Sequence, residues 1–254
     1  MLRRMKRYVS GLAFVAIFAL TFAQSAFASD QPAQLISANF YAYQYGYVGF
    51  SGSVEVSNLS YQKNVTIHYT PGDGKWYDTS ASYEGPTEAA REKWNFAVST
   101  SNLNNSNPQL SNAQKIQFAI KYEVGGQTYW DNNNGQNYSI SRFNLSSTIL
   151  GKPYVLRASD TIYENTFAGD VFVKNVAYSK TVKIVYTTDN WNTTKEGYAT
   201  YSRPANSEES VQDWQFSFNN IGSNVSEIKY AISYTVNGQT YWDNNYGHNY
   251  TVKR

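Results

Sequence analysis

The chain has 254 residues and no cysteine, and its aromatic residues (17%) slightly outnumber its charged residues (16%). The absence of cysteine excludes disulfides and cysteine–zinc chemistry, so each domain has to be held together by burial of its core. With 23 tyrosines and a formal net charge of only +2, the composition suits a neutral, hydroxyl-rich ligand better than a charged one.

The first 28 residues have the three parts of a secretory signal peptide. Four cationic residues precede an apolar run at 9–22, and Ala-Phe-Ala at 26–28 is a small-x-small cleavage site before Ser29. We therefore expect a secreted mature chain of 226 residues with a net charge of −2. The alternative is an N-terminal membrane anchor, but the apolar run is short for a span, so no membrane association is expected after cleavage. The rest of the chain has no basic run of the kind that binds nucleic acid.

After this leader, the chain contains one pattern twice. Residues 126–138 read GQTYWDNNNGQNY, and residues 238–250 read GQTYWDNNYGHNY. VSNLSYQKNVTIHYT, starting at Val56, likewise aligns with VKNVAYSKTVKIVYT, starting at Val173. The sequence thus predicts one domain at 32–142 and a second at 153–254, joined by a semi-flexible linker at 143–152.

Each copy has the pattern of short β-strands. VTIHYT and VKIVYT alternate between apolar and polar residues and are rich in β-branched side chains. The pairs Gly125-Gly126 and Asn237-Gly238 lie between alternating runs, which is typical of hairpins. No stretch outside the leader has a sustained helical period. These features predict an all-β protein of two tandem antiparallel immunoglobulin-like β-sandwich domains.

The repeated Tyr-Trp-Asp-Asn-Asn stretch is a candidate ligand surface. In a strand, Tyr129 and Trp130 point to opposite faces, so one ring enters the core and the next points outward. The amides that follow favour turns. An outward indole beside amides offers a flat apolar face for a sugar ring and hydrogen bonds for its hydroxyls. Trp76 and Trp191 lie in polar, turn-like sequences, where an exposed indole has little structural reason, whereas Trp94 and Trp214 are predicted to be core residues.

Three strings of this sequence carry a family resemblance. They are V-x-N-x-x-Y-x-K, which starts at Val56 and Val173, the W-x-F strand, and N/G-G-Q-T-Y-W-D-N-N. On these strings, each half resembles the carbohydrate-binding modules of family 21, the starch- and glycogen-binding type. Glycogen-targeting subunits of the type-1 protein phosphatase and fungal glucoamylase starch-binding domains share the last string. The resemblance covers nearly all of the chain after the leader, and it implies an antiparallel β-sandwich with two ligand sites per module.

The resemblance also implies which residues form these sites. The first site falls on Trp76 and Trp130 in one module and on Trp191 and Trp242 in the other. The second site falls on Tyr61 with Tyr83, and on Tyr178 with Tyr201. Polar support falls on Asn58, Lys63, Asn132 and Asn137, and on their counterparts Asn175, Lys180, Asn244 and Asn249.

The sequence departs from the family pattern in three places, one of which is a third aromatic of the second site that aligns near Val211 and is missing. An aromatic residue that some members carry in the first site aligns with Ala119 and Ala231, so two rings rather than three are expected there. The copies also differ from each other, because Tyr246 and His248 replace Asn134 and Gln136. Different affinities of the two modules are therefore expected.

The residues that could support catalysis do not repeat. Glycoside hydrolysis needs two carboxyl groups that flank the bond, and Asp131 with Asp243 is the one clearly aligned acid. The two histidines, His68 and His248, do not align, and no metal-ligand cluster is present in the sequence. We expect no catalytic residue, no metal site and no cofactor.

These observations predict a secreted, non-catalytic and monomeric protein that binds starch, glycogen or a related α-1,4-glucan through two modules. Two alternatives stay open. One is a scaffold or targeting subunit that tethers a protein partner to α-glucan. The other is a polysaccharide-active enzyme with unrecognised chemistry.

Overall fold

The structure is a computed structural model that describes residues 31–43, 46–88, 90–100 and 107–254. The predicted signal peptide lies outside these residues. Within the described ranges, no helix is long and apolar enough to cross a membrane.

The first module is a sandwich of two antiparallel sheets. One sheet has the strand order β10-β1-β2-β6-β5, and the other has the order β4-β3-β7-β8, with β9 also pairing with β7. The strands are β1 (Ala33–Ala42), β2 (Val48–Ser57), β3 (Lys63–Thr70), β4 (Tyr77–Ser80), β5 (Ser82–Pro86), β6 (Arg91–Ser99), β7 (Lys115–Val124), β8 (Gln127–Asp131), β9 (Tyr138–Ser141) and β10 (Ser146–Leu150). A short 3-10 helix at Pro108–Leu110 precedes β7.

The second module repeats this arrangement, except that its first sheet has four strands. Its sheets have the strand orders β11-β12-β16-β15 and β14-β13-β17-β18, with β19 also pairing with β17. The strands are β11 (Val155–Tyr163), β12 (Thr166–Lys174), β13 (Lys180–Thr187), β14 (Lys195–Tyr198), β15 (Thr200–Pro204), β16 (Val211–Asn219), β17 (Glu227–Val236), β18 (Gln239–Asp243) and β19 (Tyr250–Lys253). The all-β sandwich prediction is confirmed.

Strand alternation builds the core of each sandwich. On β3, Val65, Ile67 and Tyr69 are buried, because side chains two residues apart share the face that meets the other sheet. Phe50 lies at the centre, with its ring centroid 5.0 Å from those of Phe96 and Phe118. One face of each sheet is therefore committed to the core, and the opposite face is left for solvent or ligand.

Residues 146–150 belong to the segment that the sequence suggests as a semi-flexible linker, yet they form the edge strand β10. This strand pairs with β1 from Ser37↔Leu150 to Tyr41↔Ser146. Beyond it, the Gly151 N–H donates to the Ile36 carbonyl at 2.9 Å. The Ser146-Ser147 pair favours a flexible segment, but the backbone groups of residues 146–151 pair with β1 and complete the first sheet. These residues are therefore an ordered part of the first sandwich.

The outward edge of β10 also contacts the second module. The Thr148 N–H donates to the Ala205 carbonyl at 2.8 Å, and Asn206 Nδ2 donates to the Thr148 carbonyl at 2.8 Å. Asn206 is fully buried, and Thr148 is almost so. The two sandwiches are thus joined by buried hydrogen bonds as well as by the chain.

Candidate functional site

The two predicted indoles of the first module lie on the outer face of its second sheet. Trp76 precedes β4 and is 44% exposed, and Trp130 on β8 is 46% exposed. Tyr129 points the other way and packs against the core, as alternation predicts. The imidazole of His68 on β3 lies parallel to Trp76, with a 4.6 Å centroid distance and an 8° interplanar angle. It meets Trp130 at 6.0 Å and 78°, so the two indole planes are roughly perpendicular.

The corresponding pair in the second module is Trp191, which is 36% exposed, and Trp242, which is 37% exposed. Val185 occupies the place of His68, so the residue at this position contributes no ring between Trp191 and Trp242. Trp191 instead has a φ of +70°. Such a backbone conformation is strained for a bulky residue, and residues of this kind cluster at functional sites.

The turn that carries Trp191 is held by side-chain hydrogen bonds. Thr187 Oγ1 accepts the Trp191 N–H at 3.0 Å. Asp189 Oδ1 accepts the Thr193 N–H at 2.9 Å, and its Oδ2 accepts the Thr193 hydroxyl at 2.6 Å. The hydrogen bonds from Thr193 and Thr187 lower the pKa of Asp189 to about 2. The carboxylate therefore orders the turn that presents the indole.

Replacing Asp189 by alanine should weaken binding at the second module. Without these acceptors, Trp191 loses its preorganised position. We expect affinity for the predicted glucan ligand, measured with maltoheptaose, to fall by about 5- to 10-fold. The measurement is calorimetry on the full chain with Trp76→Ala and Trp130→Ala, which restricts the first-site signal to the second module.

The conservative change Asp189→Asn keeps one acceptor oxygen and should cost less affinity. The pH dependence provides a second check. Because the folded pKa of Asp189 is depressed, its contribution is present above the unfolded value and is lost as pH falls through about 2. This carboxylate should therefore cause no affinity change between pH 8 and pH 5. An unchanged affinity of Asp189→Ala would contradict the assigned role.

The aligned acids tie the amide turns to the opposite sheet. Asp131 Oδ2 accepts the Leu35 N–H at 2.9 Å and the Tyr138 hydroxyl at 2.8 Å. Asp243 accepts the Arg157 N–H at 2.7 Å and the Tyr250 hydroxyl at 2.6 Å. Burial raises the pKa of Asp243, and these hydrogen bonds oppose the rise. Both carboxylates are therefore structural parts of the turn beside the indoles.

The asparagines predicted as polar support shape the same turns. The Oδ1 atoms of Asn132 and Asn244 each accept a glycine N–H at 2.9 Å, from Gly135 and Gly247 respectively. Asn137 and Asn249 each have a φ of +59°, and each donates its N–H to the carbonyl of Asn132 or Asn244 at 2.7 Å. Asparagine tolerates this left-handed conformation better than most residues, which explains the Asn-rich sequence next to Trp130 and Trp242.

The tyrosines predicted for the second site are also on the surface. Tyr61 and Tyr178 are almost fully exposed in the loops before β3 and β13, and Tyr83 and Tyr201 are about half exposed on β5 and β15. Tyr83 meets Trp94 edge-on at 5.8 Å, and Tyr201 meets Trp214 at 6.3 Å. Trp94 and Trp214 are partly buried and pack against the core, so each connects the core to a surface tyrosine.

The predicted lysine and asparagine supports bond to each other. Lys63 Nζ donates to Asn58 and to Glu92 Oε2, the latter at 2.8 Å, and its side chain is only 3% exposed. In the second module, Lys180 donates to Asn175 and, at 3.0 Å, to Gln212. Burial lowers the pKa of Lys180. In both modules the pair braces the loop that carries Tyr61 or Tyr178.

The comparison of the two copies does not indicate His68 as a site residue, because its counterpart in the second copy is Val185. The structure shows the connection, because His68 pairs across the sheet with Ala119, the position where some family members are expected to carry an aromatic residue. Among the described residues, no group of three or more histidine, cysteine or acidic side chains is arranged to hold a metal.

Two antiparallel sandwiches with exposed aromatic rings beside hydrogen-bonding turns define a class of protein, the carbohydrate-binding modules. The model of one family, the carbohydrate/starch-binding module of family 21, matches residues 31–141 and 152–253. The chain belongs to this family, with two copies of its module.

Comparisons with individual proteins agree with this assignment. Glucoamylase 1 of Rhizopus oryzae is 32% identical over 145 residues, which cover 55% of this chain and 21% of the relative. Human protein phosphatase 1 regulatory subunit 3B is 36% identical over 99 residues, which cover 39% of this chain and 33% of the relative. The chain thus spans a fifth to a third of the length of these two relatives.

One similar solved structure is the starch binding domain of Rhizopus oryzae glucoamylase in complex with β-cyclodextrin and maltoheptaose. It is 35% identical to this chain, with a TM-score of 0.36. The match covers 46% of this chain and 100% of the solved chain.

Proposed function

We propose that this chain is an extracellular, monomeric protein that binds the α-1,4-glucan polymers starch and glycogen through both modules, without altering them chemically. Membership of a starch-binding family supports the ligand class. The observation that carries the proposal is the pair of half-exposed, roughly perpendicular indoles, Trp76 and Trp130. Steeply inclined platforms follow a curved glucan, whereas a flat cellulose chain needs coplanar ones. The predicted signal peptide supports the extracellular location.

The non-catalytic part of the proposal is supported by the use of the aligned acids. Asp131 and Asp243 accept backbone N–H groups and tyrosine hydroxyls. Hydrolysis of a glycosidic bond needs two carboxyl groups that reach the bond. Neither of these carboxylates is placed for that task.

The selectivity of the full chain tests the proposal. Residues 29–254 should be retained on granular starch and soluble amylose, and β-cyclodextrin should compete for the same sites. Cellulose and chitin are the control polymers, and incubation with amylose should release no new reducing ends. Equal retention on cellulose and chitin, or product formation that follows the protein through purification, would contradict the proposal.

A second candidate function is a targeting subunit that brings a protein partner to α-glucan. The matching phosphatase regulatory subunits favour it, because their names describe a role in regulating another protein. Affinity capture from the culture medium, with glucan-loaded protein as bait, separates the two functions. A stoichiometric protein partner that co-purifies with the chain would favour the targeting role.

A further inference from the structure

We propose that His68 is a positioning residue of the first module: its imidazole fixes the angle between Trp76 and Trp130, and this makes the glucan sites of the two modules unequal. The proposal rests on the proposed function and goes further, because it names a determinant of affinity that only one module has.

His68 has contacts on several sides that fix its ring. It lies on β3, directly across from Asp78 on β4 and from Ala119 on β7. Its Nδ1 is 2.6 Å from Asp78 Oδ1, as in a hydrogen bond donated to the carboxylate. On the other side, its cross-strand neighbour is the small residue Ala119. The imidazole is thus held upright on the outer face of the sheet, where both indoles lie.

The two ring contacts of His68 define the shape of the site. Parallel stacking at 4.6 Å and 8° covers one face of Trp76 and leaves the other face for a sugar. The edge contact at 6.0 Å and 78° sets Trp130 nearly at right angles to it. Trp76 lies in a loop, whereas Trp130 lies on a strand. Without the imidazole, the loop indole loses the surface that orients it.

The second module positions its loop indole by other means. Val185 stands where His68 stands, and it pairs with Glu196 and Ala231. Glu196 is engaged by Lys183 Nζ at 3.0 Å. Trp191 is held through its backbone, by the Thr187 hydroxyl at 3.0 Å. The first module thus positions its loop indole by ring stacking, and the second module positions its loop indole by hydrogen bonds within the turn.

The test compares variants with and without a ring at position 68 in the full chain. Trp191→Ala and Trp242→Ala are present throughout, so first-site binding reports on the first module. We expect His68→Val, which introduces the residue of the other module, to lower maltoheptaose affinity by about 3- to 10-fold. This is the range that an aromatic pair contributes to an equilibrium. His68→Phe keeps a ring on Trp76 and should stay within about 2-fold of the parent.

Two controls separate positioning from general damage to the sheet. Thr66→Val changes a residue on the same strand face, two positions from His68, and should leave affinity unchanged. Near-ultraviolet circular dichroism should change for His68→Val, because a tryptophan loses its stacked neighbour, and should change less for His68→Phe.

The outcomes distinguish this proposal from the proposed function. Equal affinity of His68→Val and the parent overturns the positioning role, and so does a His68→Phe variant as weak as His68→Val. If the unmodified chain binds no maltoheptaose at all, the proposed function itself fails. If His68→Val does not fold, the ring-retaining variant still decides, because loss of affinity in folded His68→Phe contradicts the proposal.

Discussion

Replacing Trp76, Trp130, Trp191 and Trp242 together by alanine should lower retention on granular starch by at least about 100-fold. Each module loses both of its exposed indoles, and because the proposed function has both modules on one polymer, the losses should multiply rather than add. The tyrosines of the predicted second sites remain in this variant, and we expect them to provide the residual binding. Stability should change little, because the four indoles are 36–46% exposed and surface substitutions usually cost about 0.5 kcal/mol or less each.

Depletion from solution by starch granules measures the affinity, and thermal unfolding measures the stability of the same variant. Tyr163→Ala is the matched control, because Tyr163 is an exposed aromatic residue outside the proposed sites. It should change neither quantity. If the quadruple alanine variant is retained on granules as strongly as the unmodified chain, the indoles are not the binding surfaces.

The second large effect is expected from Asn206→Ala, at the joint between the modules. Asn206 Nδ2 donates to the Thr148 carbonyl at 2.8 Å, and its Oδ1 accepts the Ser210 N–H at 3.0 Å. Its removal leaves the buried Thr148 carbonyl without this partner, which costs about 1–3 kcal/mol. We expect the modules to move independently, so that polymer retention falls by about tenfold as the effective concentration of the second site drops.

Maltoheptaose measures the affinity of a single site, whereas granular starch also measures the coupling between the two modules. Maltoheptaose should bind Asn206→Ala with unchanged per-site affinity, while the variant dissociates faster from granules. Glu208→Ala is the control: it removes an exposed contact between the modules, the 3.2 Å hydrogen bond from Ser141, and should have little effect. If Asn206→Ala leaves granules at the original rate, the joint in the unmodified chain does not help both modules to hold one polymer. The duplication then serves another purpose, such as cross-linking separate glucan chains.

Much of the fold could be predicted from the sequence because its signals are local. Alternation in VTIHYT and VKIVYT placed β3 and β13, and the Gly125-Gly126 and Asn237-Gly238 pairs placed the hairpins that precede β8 and β18. The edge strand β10 could not be predicted in this way. Its pairing with β1 uses backbone groups, and these leave no pattern in a five-residue Ser-Ser-Thr-Ile-Leu segment.

The residues of the candidate site also divide into those that local sequence patterns predict and those that only the structure shows. Outward placement of Trp130 and Trp242 follows from strand alternation, and the polar setting of Trp76 and Trp191 predicts exposure. The role of His68 depends on the geometry between neighbouring strands, which no local pattern encodes.

The hydrogen bonding of β10 determines where this chain can be cut into portable cassettes. A first-module cassette that ends at residue 142 would lack β10, so the five paired positions of β1 from Ser37 to Tyr41 would become an open sheet edge. Such an edge is a template for pairing between copies, and therefore for aggregation. A cassette that ends after Lys152 keeps this edge covered, because the Lys152 N–H still donates to the Leu35 carbonyl at 2.7 Å. The transferable unit of glucan binding is thus longer than the repeat that the sequence displays.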